Sequence, residues 1–319
     1  MANSPYGIPT TLDTTVLNTS LADYQKRLVD QKYNENVVEQ LVNGAGNKKT
    51  IDGGLSIVET LIKEKQDDGG FYLGGDVLNT NQGDYLSTVE FKWQNAYEPI
   101  QITRDEERQN SGSEHKILAL VETKTKLANL AIRDRLEQAF STPVGAANNL
   151  QDLETIVNTG TLGTLSGASS TYWQSNVTAS GAFATQGLTD MTTATYAVSS
   201  AANVDNPSYY LTTKAIFQKF EQTRLPLERI SNGDLSANAG FKNLTFKGVP
   251  LTYGNYIATG LLFGLNLNYI YLAVDSMTDY ITTPFITPSN QQVKTAFILW
   301  RGQLTTNNRR RHFKLTSIT

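Results

Sequence analysis

The sequence predicts an α+β fold, and three patterns along its 319 residues support that class. Apolar residues recur at steps of three and four from about 113 to 140, which indicates one long helix. Period-two alternation in short segments between 51 and 110 indicates strands that form an extended hairpin. From 209 onwards, strand and helix patterns follow one another as a mixed α/β unit.

The long helix has start and stop signals. Ser111 and Glu114 have the spacing of a capping box, in which each side chain bonds to the other residue's backbone amide. Pro143 and Gly145 predict the end of the helix. At about 1.5 Å per residue, the helix is roughly 40 Å long, which is more than one small core requires. A strut that follows a long exposed hairpin suggests a building block rather than a catalyst.

The hairpin segment contains several short strand patterns. Predicted strands cover 56–62, 71–78, 88–93 and 99–103, and predicted turns cover 67–70 and 79–83. An isolated hairpin is marginally stable in water, so we expect this segment to lie on another surface. Four of its aromatic residues suit an interface, although some also suit a strand core: Tyr72, Tyr85, Trp93 and Tyr97.

Weaker patterns define the ends of the chain. Residues 1–19 indicate an extended arm, and 20–43 a helix that Gly44 would cap. In the C-terminal half, a helix at 214–224 is expected to break at Pro226. Predicted strands there cover 209–213, 241–247, 249–253, 270–274, 295–304 and 313–317.

The middle segment, 155–204, is rich in Thr, Ser, Gly and Ala, and Asp190 is its one charged residue. This composition suits a flexible linker. The alternative is a loosely structured segment that Tyr172 and Trp173 anchor, with a short helix at 189–199.

Composition and charge exclude several classes of protein. The chain contains no cysteine, which excludes disulfides, thiolate metal sites and cysteine nucleophiles. The chain has no apolar run of about 18 residues, so no membrane span is expected. Its first residues lack the basic-then-apolar order of a signal peptide. Residues 1–154 carry 15 basic and 23 acidic side chains, a net of −8, whereas 269–319 carry six basic and two acidic, a net of +4. The acidic and the basic region can attract each other between neighbouring copies, or both can be solvated faces. The pI of about 5.5 argues against a general nucleic-acid binder.

Few residues suit catalysis. His115 and His312 lack neighbouring nucleophile motifs and zinc-ligand spacing, so we expect surface or interface roles for both. The Asp-Glu-Glu run at 105–107 offers carboxylates of the kind that glycosidases use. However, the flanking Arg104 and Arg108 favour a salt-bridge network at the base of the hairpin. We predict no catalytic site, no metal site and no cofactor.

The Arg-Arg-Arg run at 309–311 has two interpretations. Guanidinium groups form paired hydrogen bonds with carboxylates, and they also contact phosphates. The position of the run beside a predicted strand favours carboxylate partners.

Five motifs occur in order along the chain. They are Asp-Gly-Gly-Leu-Ser-Ile-Val-Glu at 52–59, Phe-Tyr-Leu-Gly-Gly-Asp-Val-Leu at 71–78, Glu-Glu-Arg-Gln-Asn-Ser-Gly at 106–112, Phe-Lys-Asn-Leu-Thr-Phe-Lys-Gly-Val-Pro at 241–250, and Leu-Trp-Arg-Gly-Gln-Leu-Thr-Thr-Asn-Asn-Arg-Arg-Arg at 299–311. Together they resemble the major capsid proteins of tailed bacteriophages with the HK97-type fold. The resemblance covers most of residues 50–319.

This resemblance implies a domain plan. An N-terminal arm would cover 1–50, and an extended β-hairpin loop at 51–110 would lie over a neighbouring subunit. A peripheral domain would comprise 111–186 and 293–319, with 113–140 as its long spine helix. An α/β axial domain would cover 187–292 and pack around the five-fold and six-fold axes.

The resemblance also implies a function. It implies self-assembly into hexamers and pentamers of an icosahedral phage head that encloses double-stranded DNA, in the virion capsid after assembly in the host cytoplasm. Expected partners are further copies of the chain, a portal, packaged DNA through weak non-specific contacts, and a separate scaffolding protein, since no scaffold segment is evident at the front. A cement protein is optional, and no membrane is expected. An encapsulin-type compartment is the near alternative, and a secreted glycan-active enzyme is the remote one.

We expect ten residues to contact neighbouring subunits, as aromatic anchors or as charged groups. Glu106 and Glu107 are expected to bond to arginines of an adjacent copy. The ten are Phe71, Tyr72, Trp93, Arg104, Glu106, Glu107, Arg108, Arg309, Arg310 and Arg311.

Overall fold

The computed structural model describes residues 37–78, 83–109, 114–143, 150–200, 205–231, 244–289 and 291–319, without the side chains of 114–119 and 224–231. The predicted arm at 1–19, most of the predicted helix at 20–43 and the capping residue Ser111 lie outside these residues. The chain divides into two compact units. Among the described residues, the smaller unit contains Tyr97–Ile132 and Thr282–Ile298, and the larger unit contains the rest.

The described residues form six α-helices, and several of them correspond to predicted helices. The helices are α1 (Val37–Gly44), α2 (Arg104–Gln109), α3 (Glu114–Ser141), α4 (Leu153–Ile156), α5 (Leu188–Val198) and α6 (Lys214–Ser231). α3 is the predicted long helix and ends just before Pro143, and α5 is the predicted short helix at 189–199.

α6 continues through Pro226, so the break predicted at this proline is wrong. A proline inside a helix removes one backbone hydrogen bond and costs about 3 kcal/mol. Ile216 and Phe220 are buried in the core and hold the preceding turns of α6 in place. The helix therefore continues despite the lost bond.

Thirteen strands are described. They are β1 (Lys48–Ile51), β2 (Ser56–Ile62), β3 (Leu86–Lys92), β4 (Gln94–Thr103), β5 (Asn176–Ala179), β6 (Tyr209–Thr212), β7 (Thr245–Phe246), β8 (Val249–Tyr253), β9 (Leu262–Leu265), β10 (Ile270–Asp275), β11 (Ile281–Thr282), β12 (Val293–Thr306) and β13 (Phe313–Thr316). β12 is the longest and pairs with β4, β10 and β11. The sequence patterns predicted most of these strands but missed β1, β5, β9 and β11.

The larger unit has a six-stranded sheet in the order β5-β13-β9-β6-β8-β7. β13 pairs parallel with β5 and antiparallel with β9, and β6 pairs antiparallel with β9 and parallel with β8. Met191 and Ala194 of α5 and Phe220 of α6 belong to the same hydrophobic core as the buried residues of this sheet. Gly264 in β9 has to be a glycine, because a Cβ there would lie 2.1 Å from the Phe313 ring.

β10 lies between β1 and β12 in the same unit. β1 pairs parallel with β10, and β10 pairs antiparallel with the end of β12. The ring of Trp300 in β12 meets the ring of Phe140 in α3 edge to face, with centroids 6.1 Å apart. Both side chains are buried, so the C-terminal part of α3 packs on this strand.

β2 and β3 form the predicted hairpin. Their shared register runs from Ser56 opposite Lys92 to Ile62 opposite Leu86. One face is buried, with Ile57, Leu61, Val89 and Phe91 as its apolar residues.

That buried face lies on the middle segment of the same chain. The Glu90 amide donates to Thr164 Oγ1 at 3.1 Å, and the Tyr172 hydroxyl donates to Ser87 Oγ at the same distance. The expectation that the hairpin lies on another surface is therefore met within the chain for β2 and β3.

The strand predicted at 71–78 is wrong, because these residues form turns and irregular backbone. A strand requires a partner ladder, and the pairing of β2 with β3 ends at Ile62 and Leu86. Within the described residues, no other strand lies alongside 71–78.

Candidate assembly surfaces

The loop between β2 and β3 presents apolar side chains to solvent. We call Phe71, Tyr72, Leu73, Val77 and Leu78 the apolar tip. Phe71 and Val77 are fully exposed, and Tyr72 is 66% exposed. Isolated exposed apolar residues are ordinary, but a contiguous set of this kind marks an interaction surface.

Local hydrogen bonds hold the apolar tip in a turn. The Asp76 amide donates to the Leu73 carbonyl at 3.0 Å, and the Leu73 amide donates to Asp76 Oδ2 at 2.8 Å. Gly75 has a φ of 113°, a conformation that few other residues adopt. These two bonds close the turn, and its apolar side chains are exposed.

A charged cluster surrounds α2 in the smaller unit. The Thr103 amide donates to Glu106 Oε2 at 2.9 Å, and the Glu106 amide donates to Thr103 Oγ1 at 3.3 Å. This reciprocal pair is a capping box, and its Thr-x-x-Glu signature was present in the sequence. The cap explains why 104–109 forms a helix that the sequence analysis did not predict.

The two glutamates of this cluster have lysine partners in their own chain. Glu106 Oε1 lies 2.8 Å from Lys124 Nζ, and Glu107 Oε1 lies 2.6 Å from Lys294 Nζ. Partial burial raises the pKa of the Glu106 carboxyl, but bonds from Lys124 and Thr103 outweigh that effect and leave the pKa below its usual value. The expected bonds to arginines of an adjacent copy would therefore have to compete with these partners.

The arginines that flank this run remain accessible. Arg104 and Arg108 are both exposed, and the Arg104 amide donates to the Gln292 carbonyl at 3.2 Å. Their contacts with a second subunit remain a prediction.

Trp93 is half-buried rather than freely exposed. The Arg301 guanidinium lies 5.1 Å from the centre of its ring, within the range of a cation–π contact. Part of this predicted interface anchor is therefore used within the chain.

Arg309 is fully buried, so its predicted role as an inter-subunit contact is wrong. Its guanidinium nitrogens donate to five backbone carbonyls at 2.6–3.0 Å, and all five belong to the middle segment: Thr155, Ile156, Asn158, Gly160 and Trp173. Burial lowers the pKa of Arg309 to about 10, which leaves it charged at neutral pH.

Arg309 also decides between the two interpretations of 155–204. The linker interpretation is wrong, because carbonyls from this segment converge on one guanidinium and Trp173 is buried beside it. The expectation of carboxylate partners failed for Arg309 because the segment contains only Asp190 as a charged residue. Backbone carbonyls are the acceptors that such a segment offers.

The three consecutive arginines point in different directions because they form one 3₁₀ turn, Arg309–Arg311. Such a helix has three residues per turn, which separates successive side chains by about 120°. Arg310 is exposed, whereas Arg311 is half-buried and donates from Nη1 to the Val198 carbonyl at 2.8 Å. Arg311 Nη2 also lies 3.6 Å from Asp205 Oδ2.

His312 is buried, which contradicts its expected surface or interface role. Its Nδ1 accepts a hydrogen bond from the Asn266 amide at 3.1 Å. Burial and the nearby Arg309 charge lower the pKa of His312 to about 3, so the ring is neutral at physiological pH. The side chain of His115 lies outside the described part of the structure.

Neither metal sites nor membrane spans are found in the described part of the chain. No group of three or more potential ligands from His, Cys, Asp and Glu lies close enough there to hold a metal ion. None of the described helices is long and apolar enough to cross a membrane.

No protein-family model and no curated protein matches the sequence. Solved structures do match. A chain of the cyanophage A-1(L) capsid has a TM-score of 0.69 and 15% identity, covering 97% of this chain and 100% of that chain. A chain of the capsid of Myoviridae phage XM1 has a TM-score of 0.59 and 12% identity, covering 94% of this chain and 98% of that chain. The SrpI encapsulin of Synechococcus elongatus PCC 7942 has a TM-score of 0.57 and 11% identity, covering 95% of each chain.

These similarities extend over almost the whole chain at low sequence identity. They show that the chain has the α+β, HK97-type capsid fold, and they confirm the fold class that the sequence predicted.

Proposed function

We propose that this protein is the major capsid protein of a tailed bacteriophage, which self-assembles into the hexamers and pentamers of an icosahedral head around double-stranded DNA. The observation that carries the proposal is the similarity to the cyanophage A-1(L) capsid chain, which covers 97% of this chain and all of that one. A common fold alone does not define a function. The apolar tip supplies the second argument, because it suits a partner surface.

In the proposed mechanism, the apolar tip of one subunit docks on a neighbour. Phe71, Tyr72 and Val77 are exposed in the single chain, and full burial of a large apolar side chain contributes roughly 1.5–3 kcal/mol. The turn bonds between Leu73 and Asp76 hold the tip in shape before docking. Preformed shape lowers the entropy cost of association.

The proposed domain plan is the one that the resemblance implies, with an arm at 1–50, a hairpin loop at 51–110, a peripheral domain at 111–186 and 293–319, and an axial domain at 187–292. The exposed Arg104 and Arg108 are proposed as polar contacts around these interfaces, whereas the exposed Arg310 lies beside a cation-lined cavity. A scaffolding protein, a portal and an optional cement protein complete the proposed set of partners.

Electron microscopy of the purified full-length chain tests this function. We expect capsomers or closed shells, alone or with a co-expressed scaffolding protein. A monodisperse monomer under both conditions would contradict the proposal.

The similarity to the SrpI encapsulin supports a second candidate, a protein compartment that holds protein cargo. The contents of shells purified from the native source separate the two functions. Nuclease-protected double-stranded DNA supports the phage head, and a protein cargo without DNA supports the compartment.

A further inference from the structure

One cavity in the larger unit is lined by cations and takes no part in the proposed docking of the apolar tip. Its volume is about 650 Å³, and it lies between the end of β2, the end of α5 and the arginine turn. Four cationic residues line it: Lys63, Arg309, Arg310 and Arg311. None of the described residues in its lining is acidic.

We propose that this cavity binds phosphodiester groups of nucleic acid, with Arg310 and Lys63 as the main contacts and Arg311 as a fixed third cation. The inference rests on the proposed function, since it assigns a site to the contact between shell protein and packaged DNA. The proposed binding depends on the local positive charge of the cavity, since the chain as a whole is acidic.

The three cations differ in how readily they can bind an anion. Arg310 is exposed and forms no hydrogen bond or ion pair within the described part of the chain. Lys63 Nζ lies 2.7 Å from Asp84 Oδ2, but the Asp84 side chain is 81% exposed and such surface pairs contribute little. A phosphate can therefore replace Asp84 as the partner of Lys63 at low cost.

Arg311 is held in place before any ligand arrives. Its Nη1 donates to the Val198 carbonyl and its Nη2 lies near Asp205. Two such contacts still leave N–H donors of the guanidinium group free, because the group has five. Arg309 contributes charge but no donors, since its nitrogens already bond to backbone carbonyls.

The chemistry of the cavity favours a phosphodiester over an acidic peptide. Peptide anchors at interfaces are mainly aromatic and aliphatic, and they fill apolar pockets. This cavity is lined largely by polar groups, among them Ser199, Ser200, Asn307 and Asn308. Paired hydrogen bonds from guanidinium groups to phosphate oxygens do not depend on base sequence, which suits a duplex of any sequence.

The test measures how duplex binding by unassembled full-length protein depends on salt, and it compares wild type with variants of the cavity. The probe is a fluorescent 30-base-pair duplex, followed by anisotropy across a salt series. Each phosphate contact adds about 0.9 to the slope of log K against log salt. For Arg310→Gln we expect the slope to fall by about 1 and the affinity at low salt to fall several-fold. The double variant Arg310→Gln with Lys63→Gln should lower the slope by about 2.

Lys214→Gln is the matched control. Lys214 is an exposed cation without a described partner and lies outside the cavity, so its loss changes the net charge by the same amount. The inference is overturned if Arg310→Gln and Lys214→Gln change the slope equally. It is also overturned if polyglutamate displaces the duplex at equal concentrations of charge.

Imaging the same preparations separates this inference from the proposed function. If wild type forms shells but Arg310→Gln leaves the slope of log K against log salt unchanged, only the phosphate site is overturned. If wild type forms no capsomers or shells, the proposed function fails, whatever the slope.

Discussion

Glu137 and Val38 are 99 positions apart in the sequence, and the Glu137 carboxylate accepts a 3.0 Å hydrogen bond from the Val38 amide. The second carboxylate oxygen accepts from the Glu39 amide at 3.4 Å. A buried carboxylate of α3 thus satisfies amides of the first turn of α1, where the helix dipole also favours negative charge. This contact ties the N-terminal turn of α1 to α3.

The stability of the chain should depend on pH through Glu137. Burial raises its pKa to about 6 from 4.5; the Glu39 charge adds to the rise, and the bonds from Val38 and Glu39 oppose it. The native state therefore binds this proton more tightly than the unfolded chain does. The contribution of Glu137 to stability is fully present below pH 4.5 and is lost as the pH rises through about 6.

Urea unfolding of unassembled wild type and Glu137→Gln at pH 4.5 and pH 7 checks this prediction. The difference in unfolding free energy should shift by about 2 kcal/mol in favour of wild type at the lower pH. A difference that does not change with pH would show that the carboxyl is solvated.

Arg309→Lys should destabilise the subunit strongly. A lysine keeps the charge but cannot reach five carbonyls at once, and each buried acceptor left without a donor costs about 1–3 kcal/mol. We expect a loss of at least about 3 kcal/mol in unfolding free energy. Arg310→Lys, one position along, should change it by less than about 0.5 kcal/mol. Equal effects of the two substitutions would contradict the buried role of Arg309.

Polar substitution of the apolar tip should block assembly without unfolding the subunit. Phe71→Ser combined with Val77→Ser removes exposed side chains only, so the unfolding free energy should change by less than about 0.5 kcal/mol. The shell yield in sedimentation and electron microscopy should fall sharply. Met277→Ser is the control, because Met277 is 79% exposed but lies outside the tip. Normal shells from the double variant would rule out docking by the tip.

Two substitutions of Glu106 separate its roles as a cap and as an ion-pair partner. Glu106→Gln retains an acceptor for the Thr103 amide and loses only the charge of the pair with Lys124, which is worth less than about 1 kcal/mol. Glu106→Lys loses both contacts and should cost about 2 kcal/mol. Adding Lys124→Glu to the second variant should recover the ion pair but not the cap. If Glu106→Gln abolishes shells at unchanged subunit stability, Glu106 also contacts a neighbour, as the sequence analysis expected.

Periodicity predicted the elements whose apolar residues repeat along one face. β2, β3 and α3 each repeat their apolar residues often enough for the pattern to be recognised, and the structure has them within a few residues of the prediction. β1 and β5 were missed because Lys-Lys-Thr-Ile and Asn-Val-Thr-Ala carry too few apolar residues. Both pair in parallel with distant strands, and such a partner leaves no local trace in the sequence.

The residues of the candidate surfaces were predicted unevenly, for a related reason. The sequence analysis named Phe71 and Tyr72 as contact candidates but placed them on a strand, whereas the structure has them exposed in a loop. Nothing in three identical arginines indicates which of them is buried, since that depends on the start of the 3₁₀ turn. The position of Glu137 beside α1 is likewise set by tertiary packing and has no local signature.

The place of β13 in the six-stranded sheet has a consequence during synthesis. β13 lies between β5 and β9, so a nascent chain that has not reached residues 313–316 has a gap in that sheet. Because the sheet closes only after this strand has been made, the core that Phe313 and Leu315 share with Leu262 forms late in synthesis.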